Sequence, residues 1–205
     1  MNNMKKKNFI LVSMREDYFY NKSELRLGID KKLIDWILTL GFNPILITNI
    51  NILNFFNYQS LPKIKGIILS GGNEINKRSL RYRIEKKLLD MSRKKKIPLL
   101  GICHGLQFIN SSEGGSLKKV NNHVRIKHKI KSKYDYPLKV NSYHEYSINK
   151  LGKNFQVISK SNDGEIEAIG HKKYNWLGWM WHPERDKKFD KKLIKIAKNF
   201  FSSRK

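Results

Sequence analysis

The chain is short of cysteine and of acid and has no long apolar run, and each shortage excludes something. A single cysteine among 205 residues rules out an intramolecular disulfide, so a reducing cytoplasm, where a free thiol stays usable, is the expected setting. No apolar stretch approaches the roughly 18 uninterrupted residues of a membrane span. The start, Met1 to Lys7, is basic, but Phe9-Ile10-Leu11-Val12 after it is too short for a secretory core and soon meets Arg15, Glu16 and Asp17. That run reads as a first core strand. No internal repeat and no linker-like stretch divides the sequence, so a single domain over residues 1–205 is expected.

Acid is scarce: 17 Asp and Glu stand against 42 Lys and Arg, a formal net charge of +25. Such a balance has three readings. Lys and Arg release counterions from phosphates and so mark nucleic-acid binding proteins, yet no recognisable nucleic-acid module is present. The lysines are scattered through Lys94-Lys96, Lys118-Lys119, Lys131-Lys133 and Lys172-Lys173, as they are when they decorate solvated faces. A positive field also draws in anionic small molecules such as nucleotide diphosphates. Neither nucleic acid nor membrane is an expected partner.

What is there is an alternation of strand and helix signals. Phe9 to Ser13, Pro44 to Thr48, Ile64 to Leu69 and Pro98 to Ile102 read as buried strands. Between them lie an amphipathic helix from Gly28 to Leu40, closed by Gly41 as a C′ glycine, and a second helix from Ser79, an N-cap residue, to about Lys95. Strands near Phe155 to Ser159 and Glu165 to Gly170 flank the turn Asn162-Asp163-Gly164, and a last helix spans Phe189 to Phe201. The middle, Gly114 to about Ser147, is more polar and reads as inserted strands and loops. Alternation of this kind predicts an α/β fold, a doubly wound and mainly parallel sheet with helices on both faces. Ligands of such sheets gather at the carboxyl ends of the strands.

The cysteine sits at one of those ends. In Leu99-Leu100-Gly101-Ile102-Cys103-His104-Gly105-Leu106-Gln107 an apolar strand stops at the thiol and turns at once into a helix, the outline of a nucleophile elbow. Gly101 and Gly105 permit close backbone approach there. A lone Cys in an apolar run is usually a small buried hydrophobe, and position alone does not overturn that. The far end of the chain does, because the apolar run Trp176 to Trp181 is followed by His182-Pro183-Glu184. A thiol needs a base and the base needs a carboxylate to fix its tautomer; extended backbone at His182 before Pro183 points both side chains the same way.

Gly101-Ile102-Cys103-His104-Gly105-Leu106-Gln107 together with His182-Pro183-Glu184 resembles the signature of the class I glutamine amidotransferases. Val140-Asn141-Ser142-Tyr143-His144 and Gly178-Trp179-Met180-Trp181 are similar to the γ-glutamyl hydrolase branch of that superfamily. The resemblance implies a flavodoxin-like sheet, a Cys103-His182-Glu184 triad and an oxyanion hole from the backbone N–H groups of Gly72 and His104. It also implies contacts to the glutamyl end from Gln107, Ser142, Tyr143 and His144. Asn73 with Glu74, beside the oxyanion turn, and Arg26 with Asp30 are further candidates for the α-amino group or the leaving group. Many γ-glutamyl hydrolases carry Arg where this chain has His104. The implied activity is hydrolysis of a γ-glutamyl amide, an anionic nucleotide-linked one foremost, with neither cofactor nor metal; a glutaminase component feeding ammonia to a synthetase is the alternative.

Overall fold

The computed structural model describes residues 8–21, 23–55 and 63–203; the basic stretch 1–7 lies outside them. In chain order the elements are β1 (Asn8–Ser13), β2 (Arg15–Phe19), β3 (Glu24–Gly28), α1 (Lys31–Thr39), β4 (Asn43–Ile47), α2 (Ile52–Phe55), β5 (Lys63–Leu69), α3 (Leu80–Lys95), β6 (Leu99–Ile102), α4 (His104–Ser112), β7 (Ser116–Lys119), β8 (Val124–Ser132), β9 (Lys139–Tyr143), β10 (Tyr146–Lys150), β11 (Phe155–Ser161), β12 (Ile166–His171), β13 (Trp176–Trp179) and α5 (Lys191–Ser202).

A nine-stranded sheet in the order β4-β1-β5-β6-β13-β12-β11-β8-β9 forms the centre. From β4 to β13 the pairings are parallel, in the succession of a flavodoxin-like doubly wound sheet. The strands alternate their apolar side chains between two cores. Ile10 and Val12 of β1, Ile68 of β5, Leu100 and Ile102 of β6 and Trp179 of β13 pack with α1 and α5 on one face. Leu11, Ile67, Leu69, Leu99 and Trp176 pack with α3 and α4 on the other. Pro44 lies in β4, the edge strand, where a residue with no N–H leaves no ladder bond unmade.

Beyond β13 the sheet continues antiparallel through β12, β11, β8 and β9. The expected hairpin at 162–164 joins β11 to β12, with Gly164 at φ +93. The polar middle segment supplies β8 and β9 to the sheet, while β7 and β10 form a separate ribbon. A second ribbon, β2–β3, occupies residues assigned to no element by the sequence pattern. It also corrects the expected start of α1. Gly28 ends β3, and the helix begins at Lys31 because the Asp30 carboxylate accepts from the Lys32 N–H at 2.9 Å. Gly41 follows that helix at φ +86, as expected, and Ser79 caps α3 by accepting from the Tyr82 N–H at 2.9 Å.

One close contact sets the geometry at the centre. A Cβ added at Gly101 would lie 2.5 Å from the carbonyl carbon and oxygen of Gly105, and one at Gly105 would collide with the Leu69 carbonyl oxygen. The obstructing atoms are backbone, so no rotamer change relieves them. Gly101→Ala is expected to force α4 away from the sheet and to cost about 1–3 kcal/mol or more, the usual range for overpacking. Urea unfolding of the variant against the parent measures this; equal midpoints would refute it.

Candidate active site

Cys103 is the single residue between β6 and α4, at φ 48 and ψ −100. A non-glycine residue there stores about 1–3 kcal/mol of strain and persists because its surroundings hold it. Its N–H donates to the Trp179 carbonyl at 2.7 Å and its carbonyl accepts from the Gln107 N–H at 3.0 Å. The side chain is therefore turned out of both sheet and helix, while the N–H groups opening α4 have no partner within the helix.

His182 comes from the neighbouring strand. β6 and β13 pair in register, Ile102 beside Trp179, so their carboxyl ends lie side by side. Asn141 at the centre of β9 fixes the backbone of His182 twice: its Oδ1 accepts from the His182 N–H at 2.9 Å and its Nδ2 donates to the His182 carbonyl at 2.7 Å. Residues 182–185 are not extended, as the sequence pattern led us to expect. They form a turn closed by the Arg185 N–H donating to the His182 carbonyl at 3.1 Å, with Pro183 at the second position, which its fixed φ suits. The outcome for the side chains is as expected: His182 Nδ1 lies 2.7 Å from Glu184 Oε1, both groups buried.

The His182 ring interacts with the Cys103 sulfur. Burial alone would push the imidazole down, but the Glu184 carboxylate and then the Cys103 sulfur outweigh it and hold the ring up at about 9. The imidazole also rests on the turn after β5, where a Cβ at Gly71 would collide with its Cε1. Gly72, at φ +98, follows in that turn. A side chain at position 71 would displace the ring.

A buried ionic knot secures the same turn. Arg81 Nε donates to Glu85 Oε1 at 2.9 Å, and its guanidinium donates to the carbonyls of Ser70 at 2.5 Å, Gly71 at 3.3 Å and Gly72 at 3.2 Å. His104 turns away from the thiol: its Nε2 is 2.8 Å from Glu85 Oε2 and its Nδ1 is 2.8 Å from the Asn73 carbonyl. Burial alone would raise the Glu85 carboxyl, but His104 and Arg81 outweigh it and bring it down to about 2. Sequence reasoning missed Arg81 and Glu85; the signal available was an i,i+4 pair of opposite charges on the apolar side of α3.

A cleft of about 260 Å³ opens above the sulfur, lined by Gly72, Asn73, Cys103, His104, Gln107, Tyr143, His144, His182 and Arg185 among others. Several expected contacts have partners within the protein. The Gln107 amide donates to the Tyr146 carbonyl at 3.1 Å. The Asn73 side chain is engaged with β2, accepting from the Glu16 N–H and donating to the Glu16 carbonyl, both at 2.9 Å. Ser142 is buried and donates to the His123 carbonyl at 2.5 Å. Tyr143 stands edge-on to the His182 ring, 5.7 Å between centroids, under the Arg185 guanidinium at 4.7 Å. Arg26 is not among the cleft-lining residues: it sits on the exposed β2–β3 ribbon, paired with Glu24 and 4.5 Å above the Phe19 ring. Asp30 is the cap of α1. Arg185, given no site role from the sequence, lines the cleft beside the turn that carries His182.

Fold and site together define a member of the glutamine amidotransferases. The family model "Glutamine amidotransferase class-I" matches residues 27–201, and the chain belongs to that family. Among curated proteins it is 34% identical over 210 residues to the gamma-glutamyl-CDP-amidate hydrolase of Campylobacter jejuni, covering 95% of this chain and 98% of that one. It is 35% identical over 130 residues to a glutamine-hydrolyzing GMP synthase subunit of Methanococcus aeolicus, covering 60% of this chain and 65% of that one. Among solved structures, a putative GMP synthase subunit from Thermoplasma acidophilum superposes with a TM-score of 0.69 at 20% identity, over 96% of this chain and 92% of that one. At that identity the likeness speaks for the fold alone.

Two outcomes are expected. Because the Glu85 carboxyl is depressed, its contribution to stability is present above its ordinary value of 4.5 and is lost as pH falls from there toward about 2. Glu85→Gln, which leaves Arg81 buried without its counter-charge, is expected to cost about 3–5 kcal/mol at neutral pH and to flatten that acid limb in urea unfolding followed against pH. Second, an imidazolium beside the sulfur stabilises the negative charge of a reacting thiol, so iodoacetamide should label Cys103 faster in the parent than in His182→Ala at neutral pH. Equal rates would count against the pairing.

Proposed function

We propose that the protein is a cysteine-dependent hydrolase that cleaves a γ-glutamyl amide through a γ-glutamyl thioester and releases glutamate. The observation that carries this reading is the apposition, across two hydrogen-bonded strands, of the Cys103 sulfur at a strained elbow and the buried His182–Glu184 pair. Cys103 Sγ attacks the γ-carbonyl as a thiolate whose proton His182 already holds, and Glu184 holds the ring in orientation. The tetrahedral oxyanion is received by the backbone N–H groups of Gly72 and His104; one such donor is commonly worth roughly 2.7–4 kcal/mol of barrier. Collapse expels the amine, which leaves with the proton from His182. Water, deprotonated by His182, then opens the thioester to glutamate and restores the thiol.

For the leaving group we propose a nucleotide diphosphate amine, with γ-glutamyl-CDP-amidate giving cytidine diphosphoramidate and glutamate for capsule modification. The near full-length likeness to the hydrolase of that substrate supports it. So does Arg185 on the cleft wall, since a cation there suits an anionic substrate. The protein is expected to act in the cytoplasm as one catalytic domain. The likeness to the GMP synthase component of Methanococcus aeolicus favours a second reading, a glutaminase that passes ammonia to a partner.

Glutamate release from a panel of γ-glutamyl amides by the purified chain separates the two. Fast turnover of nucleotide-linked members with slow turnover of free glutamine is the expected result, and Cys103→Ala should lower it by at least about 10³-fold. Inertness toward every nucleotide-linked amide would overturn the substrate assignment. Hydrolysis of glutamine that appears only when a synthetase is added would establish the second reading.

A further inference from the structure

Behind the wall of the cleft, three histidines converge on one buried carboxylate. Glu167 Oε1 lies 3.3 Å from His128 Nε2, 3.5 Å from His144 Nε2 and 3.6 Å from His123 Nδ1, and His123 Nδ1 lies 3.3 Å from His144 Nε2. Glu167 is fully buried, and among the described residues neither of its oxygens, nor His128 Nε2, has a hydrogen-bond partner at ordinary distance. A carboxylate in that condition is costly. The separations are longer than the 2.7–3.2 Å of ordinary N–H···O bonds. They are close to the edge of a tetrahedron around an ion with bonds of 2.0–2.1 Å, about 3.3–3.4 Å, and a small inward shift of the rings would bring the wider spacings of the set to that length.

The outward-facing ring nitrogens are already committed. His123 Nε2 lies 2.8 Å from the Asp163 carboxylate and His144 Nδ1 lies 3.1 Å from the Tyr146 carbonyl. With both rings neutral, each of those nitrogens is the N–H donor, which leaves the lone pairs of His123 Nδ1 and His144 Nε2 aimed at each other and at Glu167. Lone pairs at that distance repel unless a cation or a shared proton lies between them. Histidine ligands of metal ions are oriented in this way, by a carboxylate or a carbonyl behind the ring.

We propose that His123, His128, His144 and Glu167 form a closed structural site for a divalent transition-metal ion, with zinc as the best fit to three imidazoles and one carboxylate in tetrahedral array. The ligand atoms of His123, His128 and Glu167 all lie within 4.8 Å of one another, and His144 completes the set. The ion joins the loop before β8, β8 itself, the end of β9 and β12. Through His144 it braces the side of the cleft on which Tyr143 and Tyr146 stand. The site stands apart from the catalytic reading and holds whether or not that reading does.

The test is cobalt substitution in chelator-stripped, untagged protein. The expected result is uptake of one Co²⁺ per chain with the intense visible bands of four-coordinate cobalt, retained in Cys103→Ser and lost in His128→Ala. Asp163→Asn, which alters the group behind His123 and removes no ligand, should weaken binding about 10- to 100-fold, and Zn²⁺ should raise the melting temperature of the parent. Absence of stoichiometric uptake by the parent, which needs no variant to fold, would overturn the proposal and leave the cluster held by shared protons. Uptake untouched by both His128→Ala and Glu167→Gln would overturn it equally.

Discussion

The contact on which the rest depends is that of two glycines. With no side chain at position 101 the backbone of β6 meets the first turn of α4, and with none at position 105 that turn meets the end of β5, so closely that only hydrogen atoms fit between them. That closeness leaves the intervening residue one conformation, positive in φ, and so lifts a small thiol above the sheet. The ladder to β13 then sets where the imidazole can stand. Everything else around the cleft, from the Asn141 clamp to the Arg81–Glu85–His104 knot, holds these two strand ends and the turn after β5 against one another.

Position 104 illustrates how one residue serves two ends of that arrangement. Its N–H stands at the start of α4, where an anion is welcome, and its side chain runs the opposite way, into the buried carboxylate that also fastens Arg81. The guanidinium in turn holds the carbonyls of residues 70–72. A change at position 104 would therefore reach the turn after β5 through two side chains. A search for residues around the thiol does not reveal this, because Glu85 never touches the cleft.

Much of the fold was legible because it rests on local rules: apolar runs at strand ends, Ser79 and Gly41 as caps, an Asp-Gly turn, a thiol at a strand-to-helix junction. The strand pair 15–28 escaped because it is short and largely exposed, and its one buried residue, Glu16, is charged, so no apolar period marks it. Arg26 went with it. The His182–Glu184 contact was anticipated for a reason that does not hold, since a proline turn and not an extended segment brings the two together. Glu167 and the three histidines around it come from separate parts of the chain with no recurring spacing, so only the antiparallel half of the sheet assembles them.

That Cys103 and His182 end adjacent strands has a consequence for variation. Their separation is set by rungs of backbone hydrogen bonds, which are indifferent to which side chains a loop carries. Tyr143 and Arg185 on the cleft wall can be exchanged without breaking those rungs, whereas Gly71 cannot, because a side chain there would displace the His182 ring. A lineage built on this plan is free to vary the wall of the cleft by surface substitution while the sheet keeps the two strand ends together.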